Sequence, residues 1–488
     1  MDIEEPSAQP DPAAPGKGQY EETSSQELKR ILDLQKEAFA KNPYPLLEER
    51  LENLQKLLVL IKENADKISL AIEADFGHRS HYETKLAEIF NMLQAIKHAR
   101  RNMKRWMKPH RKLASIWFQP GRAMVIPQPV GVVGIIGPWN YPVLLAVQPM
   151  VAALSAGNRV MVKLSEYTPR TASLMAELFE GAFPEDQVKV VQGGPATAKA
   201  MTHLPFDHLM YTGSNARGRE VLKAASENMT PATLEMGGKS PAIIHPEFPS
   251  GAAAANIIST KLLNAGQTCI APDYVMVHEG KVQEFVSAAR AVCASMFPSF
   301  ETDYTSLINQ THYRRIMEYI QDAKDKGAEV LDMGPAGGEL SGESGRIAPK
   351  IILNVTDDML VAREEIFGPL LPVLTFCNVE EARAYVNSRP RPLALYYFDN
   401  DSGRIDHMLK NTISGGVTIN GAVWHFCQSG LPFGGVGASG MGHYHGEYGF
   451  NTFSHLKAVY VQSRYNGLWL IGRPFSWLTD WALKLMIR

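Results

Sequence analysis

Cys269 lies in Asn264-Ala265-Gly266-Gln267-Thr268-Cys269-Ile270-Ala271-Pro272, between a small, polar approach and a β-rich exit from Tyr274 to Val277. A turn of that composition presents a thiol at a strand end instead of burying it, and a presented thiol is a nucleophile once deprotonated. Alone, such a cysteine is more often an inert packing residue. Its company changes the balance. Gly134-Ile135-Ile136-Gly137-Pro138-Trp139-Asn140-Tyr141-Pro142 follows an apolar strand. Its glycines allow close backbone approach, and the Asn140 amide can donate to a developing oxyanion; a plain Gly-Pro turn is the alternative. In Leu234-Glu235-Met236-Gly237-Gly238, a carboxylate ends an apolar stretch. Burial there raises its pKa and makes it usable as a base.

Other segments suit a dinucleotide. Lys163-Leu164-Ser165-Glu166 follows a strand, where an acidic residue can accept both hydroxyls of an adenosine ribose; a solvated strand end fits equally. Tyr211-Thr212-Gly213-Ser214-Asn215-Ala216-Arg217-Gly218 runs from strand through a glycine turn into a helix, whose N–H groups can receive a pyrophosphate. Its Gly-x-x-x-x-Gly spacing is neither the common dinucleotide fingerprint nor a P-loop. Glu364-Glu365-Ile366-Phe367-Gly368-Pro369 and Leu431-Pro432-Phe433-Gly434-Gly435-Val436-Gly437 complete the set, the latter with the composition of a loop closing over a site.

The elements that must position these residues are legible from periodicity. Ser24-Ser25-Gln26-Glu27 is a capping box before a helical period that Pro43 and Pro45 end. Helices are predicted over 46–64 and 82–107, and a hairpin over 115–129 around Pro120-Gly121. From 130 to 235, strands at Val130–Ile136, Arg159–Lys163, Val188–Val191 and His208–Tyr211 alternate with helices at 142–156, 168–182, 196–202 and 215–227. A second alternation, with strands at Ala242–His245 and Tyr274–Val277 and helices at 250–264 and 280–295, runs to about 440. Such alternation implies an α/β protein built on parallel, doubly wound sheets.

The 488 residues allow two or three domains, and a net charge of −2 with no aromatic-interleaved basic block excludes nucleic acid as a partner. Four cysteines are too few and scattered for a disulfide framework or a Cys-based zinc site, so a reducing, cytoplasmic location is expected. Cys293 and Cys377 read as buried thiols; Cys427 is open between the substrate mouth and the core. His443-Tyr444-His445 has no third ligand nearby and reads as a structural or rim element, so no metal is expected.

In this order, the six motifs around Cys269 resemble the aldehyde dehydrogenase superfamily over about residues 25–460. Asn264 to Val275 and Ser439-Gly440-Met441-Gly442-His443-Tyr444-His445-Gly446, with Thr452-Phe453-Ser454-His455, are similar to its class 3 branch. Asp75-Phe76-Gly77-His78-Arg79-Ser80 and Val162 to Arg170 resemble bacterial coniferyl-aldehyde-dehydrogenase-type members. The resemblance implies a Rossmann-like cofactor domain (24–108 and 130–235), a catalytic domain (236–450) and a small β oligomerisation element (109–129 and 451–488), after a disordered tail over 1–23.

It also implies roles. Cys269 is the nucleophile, Asn140 and the Cys269 N–H hold the oxyanion, and Glu235 activates water. Lys163 and Glu166 hold the adenosine ribose, Gly213, Ser214 and Gly218 the pyrophosphate, and Glu365 the nicotinamide ribose with Phe367 beside it. Tyr141, Thr268 and Phe433 are candidate pocket walls. The cofactor is NAD⁺, favoured because Glu166 repels a 2′-phosphate; Arg217 beside the turn leaves NADP⁺ open. The implied reaction oxidises aromatic or medium-to-long apolar aldehydes to acids; CoA-acylating oxidation and a non-catalytic binding protein are the alternatives. A homodimer is implied. The apolar tail from Leu468 to Arg488 is too interrupted to span a membrane; packing within the dimer and peripheral membrane contact both fit its amphipathic end.

Overall fold

Val132–Ile136 is buried at every position, the mark of a strand covered on both faces. In the computed structural model, which describes residues 22–334, 340, 344–467 and 473–487, it sits inside a six-stranded sheet. The spatial order is Gly440–Met441, Ala232–Met236, His208–Gly213, Val132–Ile136, Arg159–Lys163, Val188–Val191. All neighbours are parallel except the Gly440–Met441 edge. From Val132–Ile136 the chain first adds strands on one side, then returns to add His208–Gly213 and Ala232–Met236 on the other. That reversal opens a crevice at the carboxyl ends of the strands, where ligands of such sheets bind. Gly137–Asn140, Lys163–Glu166 and Gly213–Ser214 all lie at those ends.

A second, seven-stranded sheet has the order Glu329–Asp332, Lys350–Leu353, Leu370–Phe376, Tyr274–His278, Pro241–Ile244, Ala394–Phe398, Gly416–Ile419. It is parallel apart from the Glu329–Asp332 edge. Three antiparallel strands, His110–Lys112, Arg122–Pro129 and Ser454–Val461, form a separate small sheet. The hairpin expected over 115–129 is displaced: its first strand is His110–Lys112, Ile116–Phe118 forms a 3₁₀ turn in the connection, and Ser454–Val461 pairs with the other edge of Arg122–Pro129.

Several expectations need correction. At the end of the second alternation, Gly440 and Met441 return to pair with Glu235 and Leu234 in the first sheet. Residues 1–21 lie outside the described residues, and Glu22 and Thr23 are not loose: the Glu22 carboxylate accepts from Gly194 N–H at 3.1 Å, and Thr23 N–H donates to Gln192 at 3.0 Å. A helix at Ala65–Phe76 escapes the periodicity reading because Asn64 alone separates it from Leu47–Glu63. The helix predicted over 82–107 carries a π-turn at Lys85–Phe90. Cys377 is exposed, with its sulfur 3.5 Å from the Glu279 carboxylate, whereas Cys293 is buried.

Half of the capping box forms: Ser24 accepts from Glu27 N–H and starts Ser25–Lys41, while the Glu27 carboxylate turns to Arg30. The tail ends in a helix, Trp477–Met486, with Trp477 and Trp481 exposed; residues 468–472 and Arg488 lie outside the described residues. Among the described residues, no helix is long and apolar enough to cross a membrane.

The N-terminal helices are tied to the first sheet by a side chain at a helix start. Asp75 accepts from the N–H groups of Arg170 and Thr171 at 3.0 and 2.8 Å and from the Thr171 hydroxyl at 2.7 Å, capping Pro169–Ala182 from outside the helix. Asp75→Ala is expected to cost about 1–2 kcal/mol, the scale of a lost cap. The measurement is the melting temperature, with Asp75→Asn recovering part of the loss.

Candidate active site

The turn that carries Cys269 is built from unfavourable backbone. Asn264 and Ala265 are left-handed, at φ +53° and +51°, a conformation costing about 1–3 kcal/mol per non-glycine residue. Gly266 follows at φ +78°, where a Cβ would lie 2.3 Å from the Gly368 carbonyl. Buried side chains hold this shape. Gln267 donates to the carbonyls of Asn264 and Ser306 and accepts from Ile308 N–H, at 3.0, 3.1 and 3.0 Å.

Cys269 then faces a cavity of about 220 Å³ between the two sheets. Asn140 reaches it from the end of Val132–Ile136, and Glu235 from Ala232–Met236. Gly213, Ser214, Glu365, Phe367 and Phe433 line it as well. Of the expected site residues, these eight are brought to one space.

Burial pushes the ionisable groups of this cavity toward their neutral forms. The Glu235 carboxyl is 2 % exposed, neither of its oxygens has a hydrogen-bond partner in the protein, and its pKa is raised well above the usual carboxylate value. The Cys269 thiol is pushed up to about 12, by burial first and then by the carboxylates of Glu365 and Glu235. Glu365 rises to about 8, again through burial and then Asp273, against the pull of the Gly238 N–H, Lys239 and Arg315.

The segment around Glu365 is held from two sides. Lys239 donates to Asp273 and to the carbonyls of Val361 and Glu364, and Asp273 accepts from Ile366 N–H at 2.9 Å. Arg315 donates to the carbonyls of Glu365 and Phe367 at 3.3 and 3.4 Å, which keeps Phe367 at φ +47°. Gly237 lies beneath it, and a Cβ there would meet the Glu365 carboxylate at 2.1 Å and displace it.

Not every expected residue reaches the cavity. Tyr141 and Thr268 do not line it: their hydroxyls bond each other at 2.8 Å behind the wall. Lys163 and Glu166 form an ion pair of 3.0 Å at the neighbouring strand end, outside the cavity. Gly218 packs inside its helix, where a Cβ would strike the Met236 sulfur at 2.4 Å. Arg217 points to solvent and pairs with Glu220 at 2.8 Å. Cys427 is half-buried and does not line the cavity.

Sequence reasoning missed His312, Arg315 and Tyr444. The first two are three residues apart on one helix, Gln310–Asp325, with no motif around them. Trp139, a residue of the Gly134–Pro142 motif that received no role, packs edge-on against His312 and Phe367, with centroids 4.9 and 5.4 Å apart. Tyr444, read as rim, lines the cavity, and its hydroxyl is buried and unpartnered.

These residues fit a nicotinamide dinucleotide. Thr212 offers a buried, unpartnered hydroxyl beside Gly213, whose missing Cβ leaves room next to the Tyr211 hydroxyl, and Ser214 starts the following helix as its N-cap.

Comparison with known proteins agrees with this geometry. The sequence pattern of the aldehyde dehydrogenase family matches residues 11–459. A protein of Pseudomonas aeruginosa named probable coniferyl aldehyde dehydrogenase is 47% identical over 462 residues, covering 94% of this chain and 96% of that one. The substrate-bound structure of Staphylococcus aureus AldH superposes with a TM-score of 0.88 at 34% identity, covering 94% and 99% of the two chains. An indole-3-acetaldehyde dehydrogenase in complex with NAD⁺ does so with 0.83 at 26% identity, covering 91% and 90%. The chain belongs to the aldehyde dehydrogenase family. It is an NAD(P)-dependent oxidoreductase that acts on aldehydes.

The coupling between Glu365 and the thiol can be read directly. At pH 9 Glu365, titrating near 8, is ionised and opposes the thiolate; at pH 7 it is mostly neutral. Glu365→Gln should therefore speed iodoacetamide alkylation of Cys269 at pH 9 by about threefold, the equivalent of half a pKa unit, with little change at pH 7. An unchanged rate at pH 9 contradicts the coupling.

Proposed function

We propose that Cys269 is the nucleophile, Asn140 the oxyanion donor and Glu235 the base of an aldehyde-oxidising site. The supporting observation is that these three side chains, from separate strand ends, line one cavity. An aldehyde has no leaving group, so hydride departure needs a sulfur adduct first. The Cys269 sulfur bonds to the carbonyl carbon while its proton passes to solvent water, and the Asn140 amide and the Cys269 N–H hold the oxygen. NAD(P)⁺, bound along Ser214 and Glu365, supplies the hydride acceptor. Loss of the hydride leaves a thioester on Cys269. Glu235, buried with no competing hydrogen bond, takes a proton from water, and attack of that water on the thioester carbon releases the acid and the thiol.

Lys163 and Glu166 take the adenosine ribose in this reading, which favours NAD⁺ while Arg217, engaged by Glu220, leaves NADP⁺ in measurable use. A preference for NAD⁺ above about 10⁴-fold would exclude that use. The aromatic wall of Trp139, Phe433 and Tyr444, together with the coniferyl aldehyde named for the Pseudomonas relative, points to an aromatic aldehyde. A screen of coniferaldehyde, benzaldehyde and C6–C16 aldehydes should give the highest kcat/KM for the aromatic members; a maximum at C10–C16 would reject this. Coenzyme A should leave the rate unchanged.

The chain is proposed to form a cytoplasmic homodimer through the small sheet, whose Leu456, Tyr460 and Val461 are exposed, and the C-terminal arm. The exposed Trp477, Trp481 and Leu485 of the last helix favour a second reading for that arm, peripheral membrane contact. Deleting 468–488 separates the two: loss of the dimer supports the first, loss of liposome binding with an intact dimer the second.

The central experiment is mutational. Cys269→Ala should abolish NADH formation with cofactor affinity nearly unchanged. Glu235→Gln should stall as an acyl adduct visible by intact-protein mass spectrometry. Asn140→Ala should cost roughly 10²–10³ in kcat, the scale of one lost oxyanion donor. Full activity of Cys269→Ala would reject the reading.

A further inference from the structure

Behind the cavity wall lies a buried charge cluster that the reaction as described does not use. Arg79 is fully buried, with its guanidinium 3.2 Å from the Glu88 carboxylate, 3.8 Å from that of Glu83, and facing the rings of Tyr141 and Phe76 at 4.9 and 5.2 Å. All three charged residues belong to one short stretch that reaches the site from the N-terminal helices. Such a cluster is a weak source of stability, because desolvating the charges offsets their attraction. Its hydrogen bonds explain what it does.

Arg79 donates to the Asn140 carbonyl at 3.0 Å. Glu83 accepts from the N–H of Asn264 at 2.6 Å, the left-handed residue at the start of the Cys269 turn. Glu88 accepts from Val143 and Leu144 N–H at 3.0 and 2.9 Å, fixing the helix that begins after Asn140. The two turns are also joined to each other. The Asn264 amide donates to the Asn140 carbonyl at 2.9 Å and the Gln267 carbonyl at 3.1 Å, and the Asn140 amide donates to that same Gln267 carbonyl at 3.1 Å. One N–H of the Asn140 amide is thereby committed, which sets where its other N–H points.

We infer that Arg79, with Glu83 and Glu88, is a positioning residue that sets the distance between the oxyanion donor on the Asn140 turn and the nucleophile on the Cys269 turn. This deepens the proposed function and rests on its assignment of Asn140 and Cys269. A shift of about 1 Å between reacting groups can cost 10²-fold in rate, so the effect falls on the chemical step. Both contacts run through one guanidinium nitrogen, Nη1, which is placed by the guanidinium plane lying over the Tyr141 and Phe76 rings; a lysine keeps the charge but has no such plane to seat between them.

The test uses the full chain with NAD⁺ and benzaldehyde. The variants are Arg79→Lys, the charge-neutral pair Arg79→Met/Glu88→Gln, and Glu83→Leu beside Glu83→Gln. The readouts are melting temperature, NAD⁺ affinity, aldehyde KM and the rate of the first-turnover NADH burst. Arg79→Lys, the charge-neutral pair and Glu83→Leu are expected to slow the burst by about 10–100-fold, with NAD⁺ affinity and KM within about threefold. Glu83→Gln, which keeps an acceptor for Asn264, should recover most of what Glu83→Leu loses. A folded Arg79→Lys with a burst within twofold of native overturns the inference, as does a loss confined to KM or NAD⁺ affinity. Failure of all variants to fold overturns it too, because the cluster would then serve the fold alone. If Cys269→Ala is active, the proposed function fails instead, whatever these variants do.

Discussion

The burial of three acidic groups around one cavity between two parallel sheets is the constraint on which the rest of the structure depends. Cys269, Glu235 and Glu365 share that space, and burial pushes all three toward their neutral forms. The Glu365 and Glu235 carboxylates, when charged, add to burial in opposing ionisation of the Cys269 thiol. A cation entering the cavity shifts all of them the other way. Glu235 has no hydrogen bond to the protein, so nothing in the fold competes for its proton, whereas Glu365 is held by the Gly238 N–H. Two carboxylates in one cavity are thus prepared differently, one as a free acceptor and one as a fixed anchor.

Keeping that cavity narrow requires backbone turns that local sequence disfavours. The Asn264-Ala265-Gly266 run is left-handed throughout, and Phe367 is left-handed on the opposite wall. The two turns touch where Gly266 meets the Gly368 carbonyl, so neither can relax without the other. Gln267 from within, Glu83 from the N-terminal helices and Arg315 from the Gln310–Asp325 helix hold this pair of turns in place. Strain and its restraint belong to the same site, as expected where geometry must be over-determined.

What could be read from the sequence divides along the same line. Strand–helix alternation predicted Arg159–Lys163 and Val188–Val191 to the residue, because continuous apolar runs between turns are local signals. Glu235 ends such a run beside glycines, whereas Asn140 and Cys269 sit in turns and stand out through the resemblance of their motifs to the family. Tyr141 and Thr268 were misplaced because adjacency in sequence does not give the direction of a side chain; both turn away to bond each other. His312 and Arg315 were invisible because a helix face aimed at a distant loop leaves no pattern in its own neighbourhood. The role of Cys377 was misjudged because an apolar surrounding sequence says nothing about a residue at a strand end.

The return of the chain to the first sheet at Gly440 bears on function. Gly440 pairs with Glu235 across an antiparallel register, and Met236 N–H donates to the Ser439 carbonyl at 3.1 Å. The loop carrying Phe433 is thus bonded to the strand that carries the buried Glu235, not only draped over it. Gly440 has φ +146°, and a Cβ there would lie 2.3 Å from the Leu234 carbonyl, so no other residue permits that approach. Phe433 and Tyr444 bridge to each other through both backbone groups, at 3.1 and 2.8 Å, closing the loop into one unit. A movement of this loop therefore moves the wall of the cavity and the strand edge at Glu235 together. The shape of that cavity wall and the position of the Glu235 carboxyl are one variable of the structure.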